Sequence, residues 1–393
     1  MAMPKTLPQA LPRTSTRTFT RRRAVVGLML FAPLATAAQE AVEMLDYAPR
    51  AKAPPGYAPG YADVVRMAED EGRLVIYATT DTALVSPLLA DFQAMYPRVR
   101  VEYDDLSSTE MYHRYLAEVQ LGTLSADVLW SSAMDLQANL VARGYALGYT
   151  SPETASLPDW AHWQDRAWAT SIEPVAIAYN KRLLPAAGVP HTHDEFSKLL
   201  TTQAPRLRGK VITYDIEKSG LGLLLAAQDA KAWPSFWNMV TALGAVDTRL
   251  STTTADMLRR VGNGSITLAY NVLGAYTIAQ AHKDANIGYA FLTDYTLALP
   301  RFQLISSRAS HPNAARLWVD YTLSRRGQSL LAERAGLYAV RGDLTGDATA
   351  AVLAAKLGRS LRPITTDADL TRYLDTAAYR DFVRRWRAAI GQA

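Results

Sequence analysis

Between residues 72 and 130, three short apolar runs alternate with two amphipathic stretches, and this alternation limits the possible folds more than any other feature of the chain. The runs at 74–77, 99–103 and 128–130 are rich in Val, Ile, Leu, Tyr and Trp, and have the length of buried strands. Residues 84–96 set Val85, Leu88, Phe92 and Met95 on one helical face, and residues 110–120 do the same with Tyr112, Tyr115 and Val119. A βαβαβ order of this kind predicts a parallel sheet with helices packed on it. Such a sheet brings the loops after its strands to one edge, where ligands bind. Here each of those loops is built from small hydroxyl residues: Thr79, Thr80 and Asp81; Ser107, Ser108 and Thr109; Ser131 and Ser132. Hydroxyls at these positions also suit helix caps. A helix start with free N–H groups is itself an anion site, so the two roles are compatible.

The pattern returns further along. Residues 209–215 form a strand run followed by Ser219 and Gly220 at the start of an apolar helix. Residues 249–258 carry Thr252 and Thr253 ahead of another helix, and the run 265–271 ends in Tyr270 and Asn271. The apolar stretches 171–180 and 294–302 read as further strands. Residues 348–390 read as mostly helical, with Phe382, Trp386 and Ile390 on one face, and are expected to pack outside the first lobe.

Charge and cysteine content exclude several function classes. There are no cysteines, which rules out disulfides and thiolate chemistry. The net charge is +5, but Lys5, Arg13, Arg17, Arg21, Arg22 and Arg23 supply six positive charges before the first acid; taking these from +5 leaves −1 for the rest. The body of the chain therefore has no basic nucleic-acid footprint. The basic start, the apolar run 24–34 and the small residues Ala35-Thr36-Ala37 read as a secretory signal cleaved near Ala37, with Arg21-Arg22 suggesting the twin-arginine route. A Pro-rich leader follows from 39 to 61.

Several segments, taken in order, resemble the periplasmic solute-binding proteins of ABC importers, in the branch that binds ferric ion and sugar phosphates. They are Gly72-Arg-Leu-Val-Ile-Tyr77, the segment from Leu121 to Ser132, Ala142-Arg-Gly-Tyr145, Ala178-Tyr-Asn180, Gly262-Asn-Gly-Ser-Ile266, Ser310-His-Pro-Asn-Ala-Ala315, Leu323-Ser-Arg-Arg-Gly-Gln328 and Val340-Arg-Gly-Asp343. The resemblance runs from about residue 61 to 343. It implies an α/β, two-lobed type 2 periplasmic-binding fold, each lobe a central mixed sheet flanked by helices, with a hinge cleft between. The expected division is lobe 1 at 62–170, lobe 2 at 171–296, and a return to lobe 1 with C-terminal helices at 297–393. It also implies a periplasmic location, a small-molecule ligand and an inner-membrane ABC permease as partner. A monomer that binds no nucleic acid is expected.

Ferric-binding members of that branch hold the metal with adjacent tyrosines after the strand that matches 265–271. Here Leu273 and Gly274 stand near those positions, Tyr270 and Tyr276 are single, and the first loop has no histidine. His191 and His193 form a possible metal pair, but in a Pro-flanked loop expected to be solvated. The expectation is therefore a cleft without metal or cofactor that takes a small anionic or polyol ligand, organophosphate-like, through neutral donors. Its residues are Thr79, Thr80, Asp81, Ser108, Thr109, Ser131 and Ser132 from the first lobe, and Ser219, Gly220, Thr252, Thr253, Tyr270 and Asn271 from the second. A ferric-iron carrier is the alternative. A secreted hydrolase is disfavoured: no G-x-S-x-G, H-E-x-x-H or Walker pattern is present, so no catalytic residues are expected.

Overall fold

In a computed structural model of the 393-residue chain, the structure describes residue 54, residues 56–367 and residues 369–391. The expected signal sequence and most of the expected leader lie outside the described residues. The first helix, α1 (Tyr61–Glu71), leads into β1 (Arg73–Ala78), α2 (Thr82–Met95), β2 (Arg100–Asp105), α3 (Ser108–Leu121), β3 (Val128–Ser131) and α4 (Met134–Ala142). A short β4 (His162–Trp163) precedes the long β5 (Ala167–Asn180). The second half holds α5 (His193–Thr202), α6 (Ala204–Leu207), β6 (Val211–Tyr214), α7 (Gly220–Ala232), α8 (Phe236–Ala245), β7 (Arg249–Ser251), α9 (Thr254–Gly262), β8 (Leu268–Leu273), α10 (Gly274–Lys283) and β9 (Ile287–Ala290). The return strand β10 (Thr296–Ile305) is followed by α11 (Pro312–Leu323), α12 (Arg325–Glu333), α13 (Ala350–Leu357), β11 (Leu361–Pro363) and α14 (Thr376–Ile390).

The strands run in the order β2-β1-β3-β10-β5-β8-β6-β7. At the first end β1 is parallel to both neighbours, and its last residue, Ala78, pairs with Asp105 on β2 and Trp130 on β3. Those three strands therefore finish level, and their loops meet. At the other end β6 is parallel to β7 and β8, with Tyr214 opposite Ser251. Two antiparallel strands join the halves. β5 pairs with β10 through Pro174 and with β8 from Val175 onward, so the sheet changes hands between two consecutive residues. The result is a two-lobed mixed sheet flanked by helices.

Burial follows strand position. β3, β6 and β8 are buried at every residue, as strands covered on both faces must be. The edge strand β2, with Arg100, Glu102, Asp104 and Asp105, stays partly exposed, and its charges discourage pairing with another chain. Two expectations need correction. α14 packs against α8, where the backbone of Ile390 closes over Gly244, so the C-terminal helix sits on the second half rather than the first; its apolar face of Phe382, Val383 and Trp386 meets Phe236 and Trp237 there. His193 is buried rather than solvated, stacked on Tyr295 at 3.9 Å between ring centres, with its Nδ1 2.9 Å from Asp294. An aromatic neighbour and a carboxylate together make burial of an imidazole favourable.

Candidate functional site

A cavity of about 330 Å³ lies between the two halves of the sheet. It is lined by the N-cap residues of five helices: Asp81 for α2, Ser107 for α3, Ser219 for α7, Thr253 for α9 and Leu273 for α10. The cause is topological. Parallel strands deliver the N-termini of their following helices to the same edge, and here two such edges face each other. Every one of these helices directs its positive end at the cavity. A larger cavity of about 410 Å³ lies elsewhere, against Tyr61 and Asp320. There Asp320 accepts hydrogen bonds from Tyr61, Tyr149 and Ser151, and Glu153 accepts from Tyr57 and Arg341. Two helix starts open onto that cavity, α1 at Tyr61 and α12 at Ser324, against five onto the first.

Capping and lining coincide. The Ser107 hydroxyl accepts from the Glu110 N–H, Ser219 from Gly222 and Thr253 from Asp256. α10 and α2 are the exceptions: the N-cap of α10 is the apolar Leu273, and the N-cap of α2, Asp81, makes no capping bond, while Asp105 Oδ2 accepts from the Thr82 N–H at 3.0 Å. The Asp81 carboxylate is thus left to the cavity. Burial raises its pKa, as does the charge on Asp105, while the charge on Arg301 lowers it. Two phenols also line the space. Tyr276 accepts from the Asp81 N–H at 3.3 Å, and Tyr214 shares a 2.6 Å bond with Thr254. Burial pushes both phenols well above the ordinary tyrosine range, so they stand as neutral hydroxyls.

Of the residues expected from the sequence, the structure brings Thr79, Asp81, Ser108, Ser132, Ser219, Thr252 and Thr253 to the cavity. Thr109 and Gly220 form its closing seam: Thr109 Oγ accepts from the Gly220 N–H at 2.9 Å, and Ser108 Oγ from Leu221 at 3.2 Å. The approach there is close enough that a Cβ on Gly220 would lie 2.7 Å from Leu136 Cδ1. Thr80 and Ser131 are fully buried behind the wall. Thr80 accepts from Arg301, and Ser131 Oγ accepts from the Ala133 N–H at 3.1 Å.

Tyr270 and Asn271 are not at the cavity. Tyr270-Asn271 stands opposite the single residue Ile177 where the β5–β8 register shifts, which makes a β-bulge, and Asn271 has a φ of 62°. Consecutive strand residues normally point to opposite faces; the bulge lets both of these reach one partner. Tyr270 Oη and Asn271 Nδ2 donate to Asp229 Oδ2 at 2.9 and 2.7 Å, and Tyr295 Oη donates to Oδ1 at 2.8 Å. Tyr214, Asp105 and Arg301 were not expected from the sequence, and Tyr276 was expected only as a single tyrosine unsuited to iron. Arg301 and Glu173 carried a signal, each being an isolated charge inside an apolar crossing strand.

The comparisons agree with this architecture. The family profile described as bacterial extracellular solute-binding protein matches residues 88–354. The structure is similar to the substrate-binding protein of an ABC transporter from Agrobacterium tumefaciens, at 33% identity and a TM-score of 0.78, covering 81% of this chain and 94% of that one. It is also similar in fold to the periplasmic binding protein AfuA from Actinobacillus pleuropneumoniae with fructose-6-phosphate bound (18% identity, TM-score 0.66, 82% and 99% covered). Iron-bound HitA from Pseudomonas aeruginosa is a third (17%, 0.64, 81% and 99%). No curated protein matched the sequence.

Proposed function

This chain belongs to the bacterial extracellular solute-binding proteins, the substrate-binding components of ABC transporters, and we propose that it captures a small anionic or polyol ligand, organophosphate-like, in the cavity between its lobes. Proteins of this kind take up a small molecule outside the cytoplasmic membrane and present it to a membrane permease. Among the described residues no helix is long and apolar enough to cross a membrane. In our reading the protein is exported through its N-terminal signal, cleaved near Ala37, and acts as a monomer. The lobes fall at 62–170 and 171–296; from 297 the chain returns to the first lobe, and its last helix, α14, then packs on the second.

The observation that carries the ligand class is the convergence of five helix N-termini on one cavity. Each contributes roughly 0.3–1 kcal/mol to holding an anion, and more where the site is partly buried. Together they supply about 2–5 kcal/mol of the ~8 kcal/mol that a micromolar Kd represents. Thr79, Ser108, Ser132, Ser219, Thr252 and Thr253 add neutral donors, and Asp81 accepts from ligand hydroxyls. Thr109 and Gly220 latch the lobes over the ligand, and closure reports occupancy to the permease. The ferric alternative draws on Tyr276 and Asp81 sharing the cavity. It is weakened because burial favours the neutral phenol over the phenolate that iron requires.

Isothermal titration of ligand-free protein with glycerol phosphate, fructose 6-phosphate and chelated Fe(III) tests the proposal. Micromolar or tighter binding to a phosphate ester, with none to iron, is expected. Tight iron binding with no response to any phosphate ester would overturn it.

A further inference from the structure

Arg301 is fully buried in β10, opposite Ser171 and three residues short of the point at which β5 changes from one lobe's sheet to the other. Its Nη1 donates to Thr80 Oγ at 2.7 Å and Thr79 Oγ at 3.3 Å. Nε is 3.6 Å from Glu173 Oε1, and the guanidinium carbon is 5.8 Å from the ring centre of Tyr276. Nε and Nη2 have no hydrogen-bond partner among the described residues, and neither does Glu173 Oε2. Thr79 and Tyr276 line the cavity, so a buried cation stands one side-chain layer behind the wall, touched by both lobes.

We propose that Arg301 is a positioning residue that turns the Thr79 hydroxyl into an obligate donor and thereby selects ligands presenting an anionic oxygen. The inference rests on the reading of the cavity as the ligand site and makes it specific. A guanidinium can only donate, whereas a threonine oxygen has two acceptor positions and one proton. On Thr79 both acceptor positions are taken, one by Arg301 Nη1 and one by the Ser132 N–H at 3.3 Å. Only the proton is left to offer. Its partner within the protein is Ser131 Oγ at 3.4 Å, a long bond that a ligand oxygen at the usual ~2.7–2.8 Å would displace. A ligand that needs an acceptor finds none on Thr79, and one that brings acceptor oxygens finds a proton held only by the long bond to Ser131 Oγ. The fixed positive charge acts in the same direction, because a buried site screens it poorly. Glu173 offsets part of that charge from the hinge side.

The test measures binding of glycerol phosphate, inorganic phosphate, glycerol and chelated Fe(III) to wild type, Thr79→Val, Arg301→Lys, Arg301→Met, the double variant Arg301→Met/Glu173→Gln and the triple variant that adds Thr79→Val to it. The double variant removes the ion pair without leaving a lone buried carboxylate, which would threaten folding; circular dichroism checks each fold. Wild type is expected to prefer the phosphates to glycerol. The double variant should bind phosphate about 30-fold more weakly, in line with loss of a charge-assisted hydrogen bond. Arg301→Lys should recover part of that loss, as a purely structural role would not require. Adding Thr79→Val to the double variant should cost far less than it does in wild type, because the two residues act as one unit. A folded double variant with wild-type phosphate affinity, or strictly additive effects of Thr79 and Arg301, would overturn the role of Arg301 while leaving the anion site intact. Wild type that binds glycerol or Fe(III) but neither phosphate would overturn the cavity reading itself, and the Arg301 role with it.

Discussion

Both lobes bring strand-end hydroxyls to one cavity, but β8 of the second lobe handles its polar end in the opposite way to β1 and β3 of the first. In the first lobe β1, β2 and β3 finish level, and the hydroxyls just beyond them reach the cavity. In the second lobe β8 bulges before it ends, and its polar residues Tyr270 and Asn271 turn inward to Asp229. One buried carboxylate from each lobe also contrasts, although Asp320 of the first lobe is met by three donors as Asp229 is. Asp229 is met by three donors, while Asp135, near the start of α4 in the first lobe, has an Oδ1 with no partner among the described residues. Polar residues at the end of a strand therefore mark a ligand edge only if the strand stays regular up to that end.

The largest expected effect is on the second-lobe network. Asp229→Ala strands three buried donors and should lower unfolding free energy by about 3 kcal/mol in a denaturant titration. Asn271→Ala should also destabilise, with ligand affinity of the folded fraction unchanged. A collapse in affinity at normal stability would return Asn271 to the ligand site and erase the contrast between the lobes.

Asp135 should respond in the opposite sense. Burial raises its pKa to about 7, so between roughly pH 4 and 7 the folded protein keeps a proton that the unfolded chain has released. Stability is therefore lost as pH rises through that window. Asp135→Asn should match wild type near pH 4 and exceed it by about 2 kcal/mol at pH 8, below the ~4 kcal/mol that a displacement of three pH units would allow. Parallel pH profiles for the two proteins would show that Asp135 is better satisfied than its orphaned oxygen indicates.

The rim residues should affect binding more than folding. Thr79→Val is expected to weaken ligand affinity about tenfold with little change in Tm, since Thr79 lines the cavity, its bonds within the protein are long, and Arg301 Nη1 keeps its shorter bond to Thr80. Ser219→Ala should give the smallest effect, about 1 kcal/mol of stability from the lost cap, together with a slight loss of affinity. Equal effects of these two substitutions on stability would mean that capping, not binding, is the business of both.

Why some of this was readable in the sequence and some was not follows from the same contrast. Regular βα units announce themselves through strand composition, helical periodicity and capping residues, so the fold and the hydroxyl rims at Thr79, Ser108, Ser219 and Thr253 were visible in advance. The bulge at Tyr270-Asn271 depends on which residues of β5 lie opposite, which no local pattern encodes. Tyr276 reaches the cavity from the first turn of α10, and in the sequence it is one aromatic in an apolar helix. Arg301 was visible as an isolated charge, but its partners Thr79 and Thr80 are more than 220 positions away. The docking of α14 on α8 likewise depends on Gly244 leaving room for the backbone of Ile390.

The central claim is that five helix starts and a hydroxyl rim hold a small organic anion. Native mass spectrometry of the mature protein purified from its own periplasm, with metal analysis of the same sample, tests it most directly. The account predicts one small organic anion per chain, phosphate- or carboxylate-bearing, and no iron. One ferric ion per chain with no organic ligand would contradict it, and would assign Tyr276 and Asp81 to a metal site instead.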